Sequence, residues 1–576
     1  MMLKQATPAA AMPSSGATTP SQLDEIVAQL RAGAERFARI SLDERIALAR
    51  SMQRGYLRIA RTSAEAATKA KGLPPEAAGD EWGSGPLIVV RGLRLIIESL
   101  EALRRTGNTP IGPVGRTKDG SLSIRVFPAN VIDGLLFKDV TVDVHMAAGM
   151  SESELHEARA SFYKRPNHKG RIALVLGAGN INSIPTWDVL TKMFVEGKVC
   201  VLKLNPVNAY LGPYLEEAFS DALAQNFLAI VHGAADEGTY LVQHNEVDEV
   251  HLTGSDRTYE AIVWGATEEE RRQRRAERRP LVNKPVTAEL GNVSPVVIVP
   301  GPYNEKELRY QAEEVAGAMA LNAAFCCCTP RILVTAANWP QRGTFLDLLA
   351  DALSRTPTRP AYYPGAVEKY RLATTGRNQV RRIGPAGNNI LPWTIVTGLD
   401  PWNASDPAFH VEYFCPVLFE TTLSASNTNE FILNAVDFCN TRLWGTLNAT
   451  LIVHPTTQKD PALSGAVENA ITWLKYGTVA VNAYPAMSFA FGTPPWGAHP
   501  GSTPVDIQSG TGFVHNARML EGIEKVVMRH PLTTFPKPFY FPSHRTATRL
   551  MPKLVAVEEN AGWLGVPGVV MTAMRC

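Results

Sequence analysis

The residues of this chain best equipped for chemistry are three consecutive cysteines, Cys326, Cys327 and Cys328, in the stretch Asn322-Ala-Ala-Phe-Cys-Cys-Cys-Thr-Pro-Arg331. A thiolate is a strong nucleophile, yet cysteine is also a small hydrophobe, so the triplet suits either covalent catalysis or a tight core loop. A second candidate is Glu289, enclosed by apolar strand residues in Pro285-Val-Thr-Ala-Glu-Leu-Gly291. A carboxyl desolvated there acquires a raised pKa, in the range of a general base; an exposed turn carboxylate is the competing reading. Asn180, Lys203 and the pair Gly254-Ser255 each follow a short apolar run. Alone they read as a turn-forming Asn, a solvated Lys and a plain turn. Three such residues at successive strand ends point to a ligand site.

The elements that must position these residues are visible as hydrophobic patterns. Leu23, Ile26, Val27, Leu30 and Phe37 share one helical face. Ser41-Leu-Asp-Glu44 has the form of a capping box, predicting a second helix from Ile46 to about Arg61. A third is predicted over Leu87 to Arg105. Leu122 to Val126 and Val140 to Val144 alternate weakly and are expected to form strands outside the main sheet. From Arg171 onward, apolar runs at 172–177, 199–204, 227–231 and 249–252 alternate with helical segments, which predicts a parallel, doubly wound sheet. A second α/β unit follows, with a helix from Glu305 to Leu321 leading into the cysteines. Tyr476 to Asn482 reads as a strand. The aromatic, Gly/Pro-rich stretch from Phe489 through Trp496 to Gly512 reads as ordered loops, either packing or the wall of a substrate channel.

Composition narrows the function classes. The 576 residues exceed one simple core and imply two or three domains; 45% are apolar and 19% charged, the balance of a globular protein. The net charge of +2 is spread along the chain, which argues against nucleic acid as a partner. Glu268 to Arg279 mixes both signs without apolar residues and reads as a solvated helix or an excursion on the surface. Seven cysteines without framework spacing fit a reducing compartment, and with no Cys-x-x-Cys pair no metal site is expected. The first twenty residues, rich in Ala, Pro, Ser and Thr, read as a flexible tail and not a signal peptide. No run of eighteen apolar residues suggests a membrane span, so a cytoplasmic protein is expected.

Six stations in order resemble the aldehyde dehydrogenase superfamily: Gly179-Asn180, Leu202-Lys203, Thr253-Gly254-Ser255, Glu289-Leu-Gly291, Asn322 to Cys327, and Glu412-Tyr-Phe414-Cys-Pro-Val417. The resemblance spans roughly Leu42 to Gly512. Ala324, Asn292 and Cys415 stand where glycine is common in the family, as does Tyr259, which marks a divergent branch. The resemblance implies an α/β architecture: an NAD(P)-binding domain over 21–290, with 121–165 as extra strands and an oligomerisation element, and a catalytic domain over 291–485. A tail over 1–20 and C-terminal loops over 486–576, packing back on the cofactor domain, complete the expectation.

The same resemblance implies oxidation of a small-molecule aldehyde with NAD or NADP, in a homo-oligomer. Counted from Asn322 the nucleophile is Cys327; counted back from Arg331 it is Cys326, and the Asn count is preferred because the oxyanion turn lies on that side. Asn180 and the Cys327 amide would hold the oxyanion. Lys203 would hold the adenosine ribose, Glu412 and Phe414 the nicotinamide ribose and ring, and Gly254 and Ser255 would also bind the cofactor. Glu289 would activate water against the thioester. A CoA-dependent acyl-CoA reductase and a non-catalytic family member are the competing classes.

Overall fold

A computed structural model describes residues 17–165, 167–560 and 562–576. Most of the expected N-terminal tail, residues 1–16, lies outside the described residues. The chain is already helical at Pro20, earlier than expected: Thr19 caps helix Pro20–Phe37 through a capping box with Gln22, and Pro20 occupies the first turn, where its missing N–H costs nothing. Ser41 and Glu44 form the second box, and the helix they open, Leu42–Ala70, runs well past Arg61. Ala60, Ala64 and Ala67 continue the buried face there with side chains too small to dominate a hydrophobic pattern. This helix packs against Ile88–Thr106, close to the predicted span.

The first sheet has the order Leu228–Val231, Val199–Lys203, Ile172–Leu176, Glu249–Gly254, Val286–Leu290, all parallel. Continuous apolar runs become strands covered on both faces, as parallel sheets require. Asn180, Lys203 and Gly254-Ser255 follow the carboxyl ends of neighbouring strands, the side where open α/β sheets bind ligands. Glu268–Glu277 is the predicted surface helix, with no buried residue.

The second sheet has eleven strands. Its parallel centre includes Pro295–Ile298, Ile332–Ala336, Val417–Leu423 and Asn448–Ile452, flanked by Thr478–Val481. Leu122–Phe127 and Thr141–Met146 are strands, but they do not stand apart. They join this sheet antiparallel through Ile523–Arg529, which pairs with Thr141–Met146 on one side and with Thr478–Val481 on the other. The C-terminal segment accordingly does more than pack on the cofactor domain. One strand of it lies within the second sheet, while helix Ala547–Asn560 rests on the N-terminal helices. No helix among the described residues is long and apolar enough to cross a membrane.

Candidate active site

Helix Glu305–Ala320 opens on an Asn304–Glu307 capping box and ends at the cysteine loop. Asn322, Ala323 and Ala324 then take φ values of 51°, 56° and 68°. Side chains with a Cβ disfavour this left-handed region, so the turn needs external ties. Asn322 supplies several: its Nδ2 donates to the Phe325 carbonyl at 2.8 Å and to the Asn180 carbonyl at 3.0 Å. Buried Arg331 supplies more, donating to the carbonyls of Ala324 (2.9 Å), Cys326 (3.3 Å) and Cys415 (2.8 Å).

The three sulfur atoms lie within 4.8 Å of one another. Cys326 and Cys328 are buried and Cys327 is half-buried. Cys326 Sγ is 3.3 Å from Cys328 Sγ, which in turn is 3.2 Å from the Tyr484 hydroxyl. Hydrogen bonds from the Cys327 and Cys328 thiols hold the Cys326 thiol well below its ordinary range. The Cys326 and Cys328 thiols, burial and Glu289 hold Cys327 well above it. These contacts favour charge on Cys326, while Cys327 is the half-buried residue of the three.

Glu289 is a carboxyl within hydrogen-bond reach of the Cys327 thiol. It is buried at the end of its strand, in register with Thr253, so it is no exposed turn carboxylate. Burial pushes its pKa up to about 8; hydrogen bonds from Trp496 and Cys327 act against this, and the charge of Asp188 adds to it. Trp496 Nε1 donates to Glu289 Oε1 at 3.2 Å. Asp188 is itself buried and bonded to Thr253 Oγ1 (3.0 Å) and His515 Nε2 (2.6 Å). Asn180 is brought to the same place: its Nδ2 donates to the Phe325 carbonyl at 3.0 Å, which uses one of its two N–H bonds. Asn180, Glu289 and Cys327 thus meet around one loop.

Two further groups of predicted residues flank it. Glu412 and Phe414 lie against the loop: the Phe414 ring is 5.9 Å from Phe325 and 4.9 Å from Tyr363. A Cβ on Gly291 would fall 1.9 Å from Glu412 Oε2, so this carboxyl needs glycine opposite it. Glu412 Oε1 is buried without a partner among the described residues, and burial lifts the carboxyl to about 8 against the pull of Arg331 and Lys369. An orphaned carboxyl oxygen there could accept hydrogen bonds from the hydroxyls of a cofactor ribose. Lys203 and Gly254-Ser255 sit on the first sheet. Burial lowers the Lys203 pKa, with Glu237 opposing. Ser255 caps helix Asp256–Val263, its Oγ accepting from Thr258 N at 3.2 Å. A lysine and a helix start at the carboxyl edge of a parallel sheet could hold cofactor phosphate or ribose.

Residues 182–443 match the aldehyde dehydrogenase family model. Over that segment the chain is similar to aldehyde dehydrogenases. Solved structures of aldehyde dehydrogenases share its fold over most of its length. Aldehyde dehydrogenase KauB from Pseudomonas aeruginosa is 18% identical, with a TM-score of 0.59 and 90% of each chain covered. Aldehyde dehydrogenase C from Pseudomonas syringae, complexed with NAD+ and octanal, is 15% identical, with a TM-score of 0.60 and 89% of each chain covered. NADP-dependent glyceraldehyde-3-phosphate dehydrogenase from Bacillus halodurans, complexed with NADP, is 17% identical, with a TM-score of 0.57 over 89% of this chain and 92% of that one.

The departures from the superfamily's glycines have local explanations. Asn292 bonds the Asn448 carbonyl at 2.9 Å and accepts from Ser294 Oγ at 2.8 Å, tying two strand ends together. Tyr259 fills an apolar cluster with Leu252, Trp264 and Leu290. Sequence reasoning missed Trp496, Tyr484, Lys71, Glu81 and Tyr362 at the site. Only Trp496 carried a signal, through the aromatic stretch read as channel wall or packing.

Proposed function

We propose that this protein oxidises an aldehyde to the carboxylic acid with NAD or NADP, and that water resolves the acyl-enzyme. The carrying observation is the buried carboxyl of Glu289, lifted to about 8 beside the accessible thiol of Cys327. Cys327 loses its proton to solvent and its sulfur adds to the aldehyde carbon. The second N–H of Asn180 Nδ2 and the Cys327 amide receive the oxyanion, a donor set whose members typically contribute about 3 kcal/mol each. NAD or NADP, when bound, accepts the hydride that leaves as the thioester forms. The unpartnered Glu412, the helix start at Ser255 and buried Lys203 fit such a dinucleotide. Glu289 then takes a proton from water, water's oxygen displaces the thiolate, and the acid leaves with the free cysteine restored.

The half-buried side chains packed around this cluster, Leu321, Met487, Phe489 and Phe539, are apolar. They favour an apolar aldehyde, and octanal is a suitable first substrate. The test is single-turnover kinetics with octanal in wild type and variants. Cys327→Ala abolishes the burst of reduced cofactor, whereas Cys326→Ala and Cys328→Ala keep most of it. Glu289→Gln keeps a burst but loses roughly 10²-fold in steady-state turnover. Peptide mapping that finds the trapped acyl group on Cys326 overturns the choice of nucleophile. Acyl-CoA as the product, with CoA restoring fast turnover in Glu289→Gln, overturns hydrolysis.

A further inference from the structure

Lys71 follows the C-terminal end of helix Leu42–Ala70, far in sequence from every station of the site. Its ammonium group is nonetheless buried beneath the cysteine loop, with a side-chain exposure of 3%, and so is its partner Glu81, at 1%. Nζ donates to both Glu81 carboxylate oxygens at 2.9 Å, to the Asn180 carbonyl at 3.1 Å and to Asn322 Oδ1 at 3.0 Å. The Tyr362 hydroxyl donates to the same two acceptors, at 3.2 Å and 2.9 Å. On its other side Glu81 accepts from Asn182 Nδ2 at 3.3 Å, and Asn182 Oδ1 accepts from Tyr210 at 2.9 Å.

We propose that Lys71, held in place by Glu81, is a positioning residue for the cysteine loop and the oxyanion donor, acting through Asn322 and the backbone of Asn180. The proposal rests on the aldehyde dehydrogenase reading. A carboxamide can sit either way round, and its oxygen and nitrogen differ little in shape. A cation at Asn322 Oδ1 decides the matter: Nδ2 must face the Phe325 and Asn180 carbonyls, the bonds that hold three successive left-handed residues ahead of Cys326. The Asn180 carbonyl receives Lys71, Tyr362 and Asn322 together, which fixes the residue whose side-chain amide must meet the oxyanion. Burying a lysine and a glutamate is a poor way to gain stability, since apolar side chains of similar volume serve as well or better. A buried pair whose lysine gives its other two bonds to the two asparagines of the active site is suited to setting geometry.

The experiment compares Lys71→Met, Tyr362→Phe and wild type in three measurements. These are the burst of reduced cofactor with octanal, NADP affinity by tryptophan fluorescence, and alkylation of the three thiols by iodoacetamide read by peptide mapping. Positioning requires the Lys71→Met burst rate to fall by about 10²-fold and that of Tyr362→Phe by about tenfold, the scale of losing an oriented oxyanion donor. NADP affinity should stay within about twofold, and Lys71→Met should lose the wild-type preference for labelling Cys327 over Cys326 and Cys328. A burst within about threefold of wild type in both variants overturns the proposal. So does a lost burst matched by an equal loss of NADP affinity, which would make Lys71 a strut between domains. Should Lys71→Met fail to fold, Tyr362→Phe, which removes one hydroxyl from the same two oxygens, decides alone. A wild type without any burst overturns the dehydrogenase reading instead, and the alkylation pattern then decides the positioning claim.

Discussion

At Glu289 the protein keeps a carboxyl protonated near neutrality that chemistry needs ionised. Its raised pKa sets the sign of the pH dependence: the base is available above about 8 and is lost as pH falls through that value. The resolving step should therefore accelerate from pH 6.5 to 9, and Glu289→Gln should flatten that limb. Trp496 favours the ionised form through its indole N–H. Trp496→Phe removes that donor, so the limb should move to higher pH; a limb that stays put or moves lower counts against Glu289 as the titrating base. At the cofactor end, Asn205 and Pro206 follow Lys203, and Asn205 Oδ1 accepts from Val207 N at 3.0 Å. With no carboxylate at 205 or 206 to repel a 2′-phosphate, NADP should serve at least as well as NAD. A tenfold preference for NAD in kcat/KM, about 1.4 kcal/mol, would contradict this. Residues such as Asn180 and Glu289 were legible because a strand end and a motif mark them. Lys71 was not, because Asn180 and Asn322 lie 109 and 251 residues away and no local spacing records them.

Among the elements, the segment after the last strand does more at the site than its sequence suggests. Lys537 Nζ meets Glu313 Oε2 at 2.6 Å and Ser543 N donates to Glu313 Oε1 at 2.9 Å. Tyr540 bonds Glu314, which also accepts from Tyr484 N at 2.8 Å. Both glutamates belong to helix Glu305–Ala320, so the tail is fastened to the helix that delivers the cysteines, and Tyr484 passes the contact to Cys328. Phe539 rests over Gly83, where a Cβ would lie 3.1 Å from the ring. Phe539→Ala should raise KM for octanal by about tenfold with little change in kcat, the size of a partly lost apolar contact; a fall in kcat at constant KM would place Phe539 elsewhere in the reaction. Strands of the first sheet were readable as continuous apolar runs bounded by helices. The membership of Leu122–Phe127 in the second sheet was not, since its link to the parallel strands is a segment several hundred residues away.

For the whole molecule, helix Ile88–Thr106 and helix Ala547–Asn560 are locked together by a buried charge network. Arg91 donates to Asp133 at 2.9 and 3.0 Å and to Glu558 at 2.5 Å, and Arg94 Nε donates to Glu558 at 2.9 Å. Removing Glu558 leaves two buried guanidinium groups short of a counter-charge, a change that typically costs about 3–5 kcal/mol. Glu558→Ala should lower the midpoint of the first urea transition and expose the segment 530–546 to protease, and NADP should restore little of the loss. The placement of Ile523–Arg529 carries a consequence for the order of synthesis. Leu122, Ile124, Val142 and Val144 are buried with Val526 and Met528, so the early hairpin obtains its packing partner only near the end of translation. At ~5–20 residues per second the ribosome needs on the order of half a minute to deliver that strand. Through that interval the nascent hairpin presents an open edge and an apolar face, a natural client for a ribosome-associated chaperone. Chains arrested before residue 520 should be cleaved by protease between 122 and 146, and chains released at full length should resist.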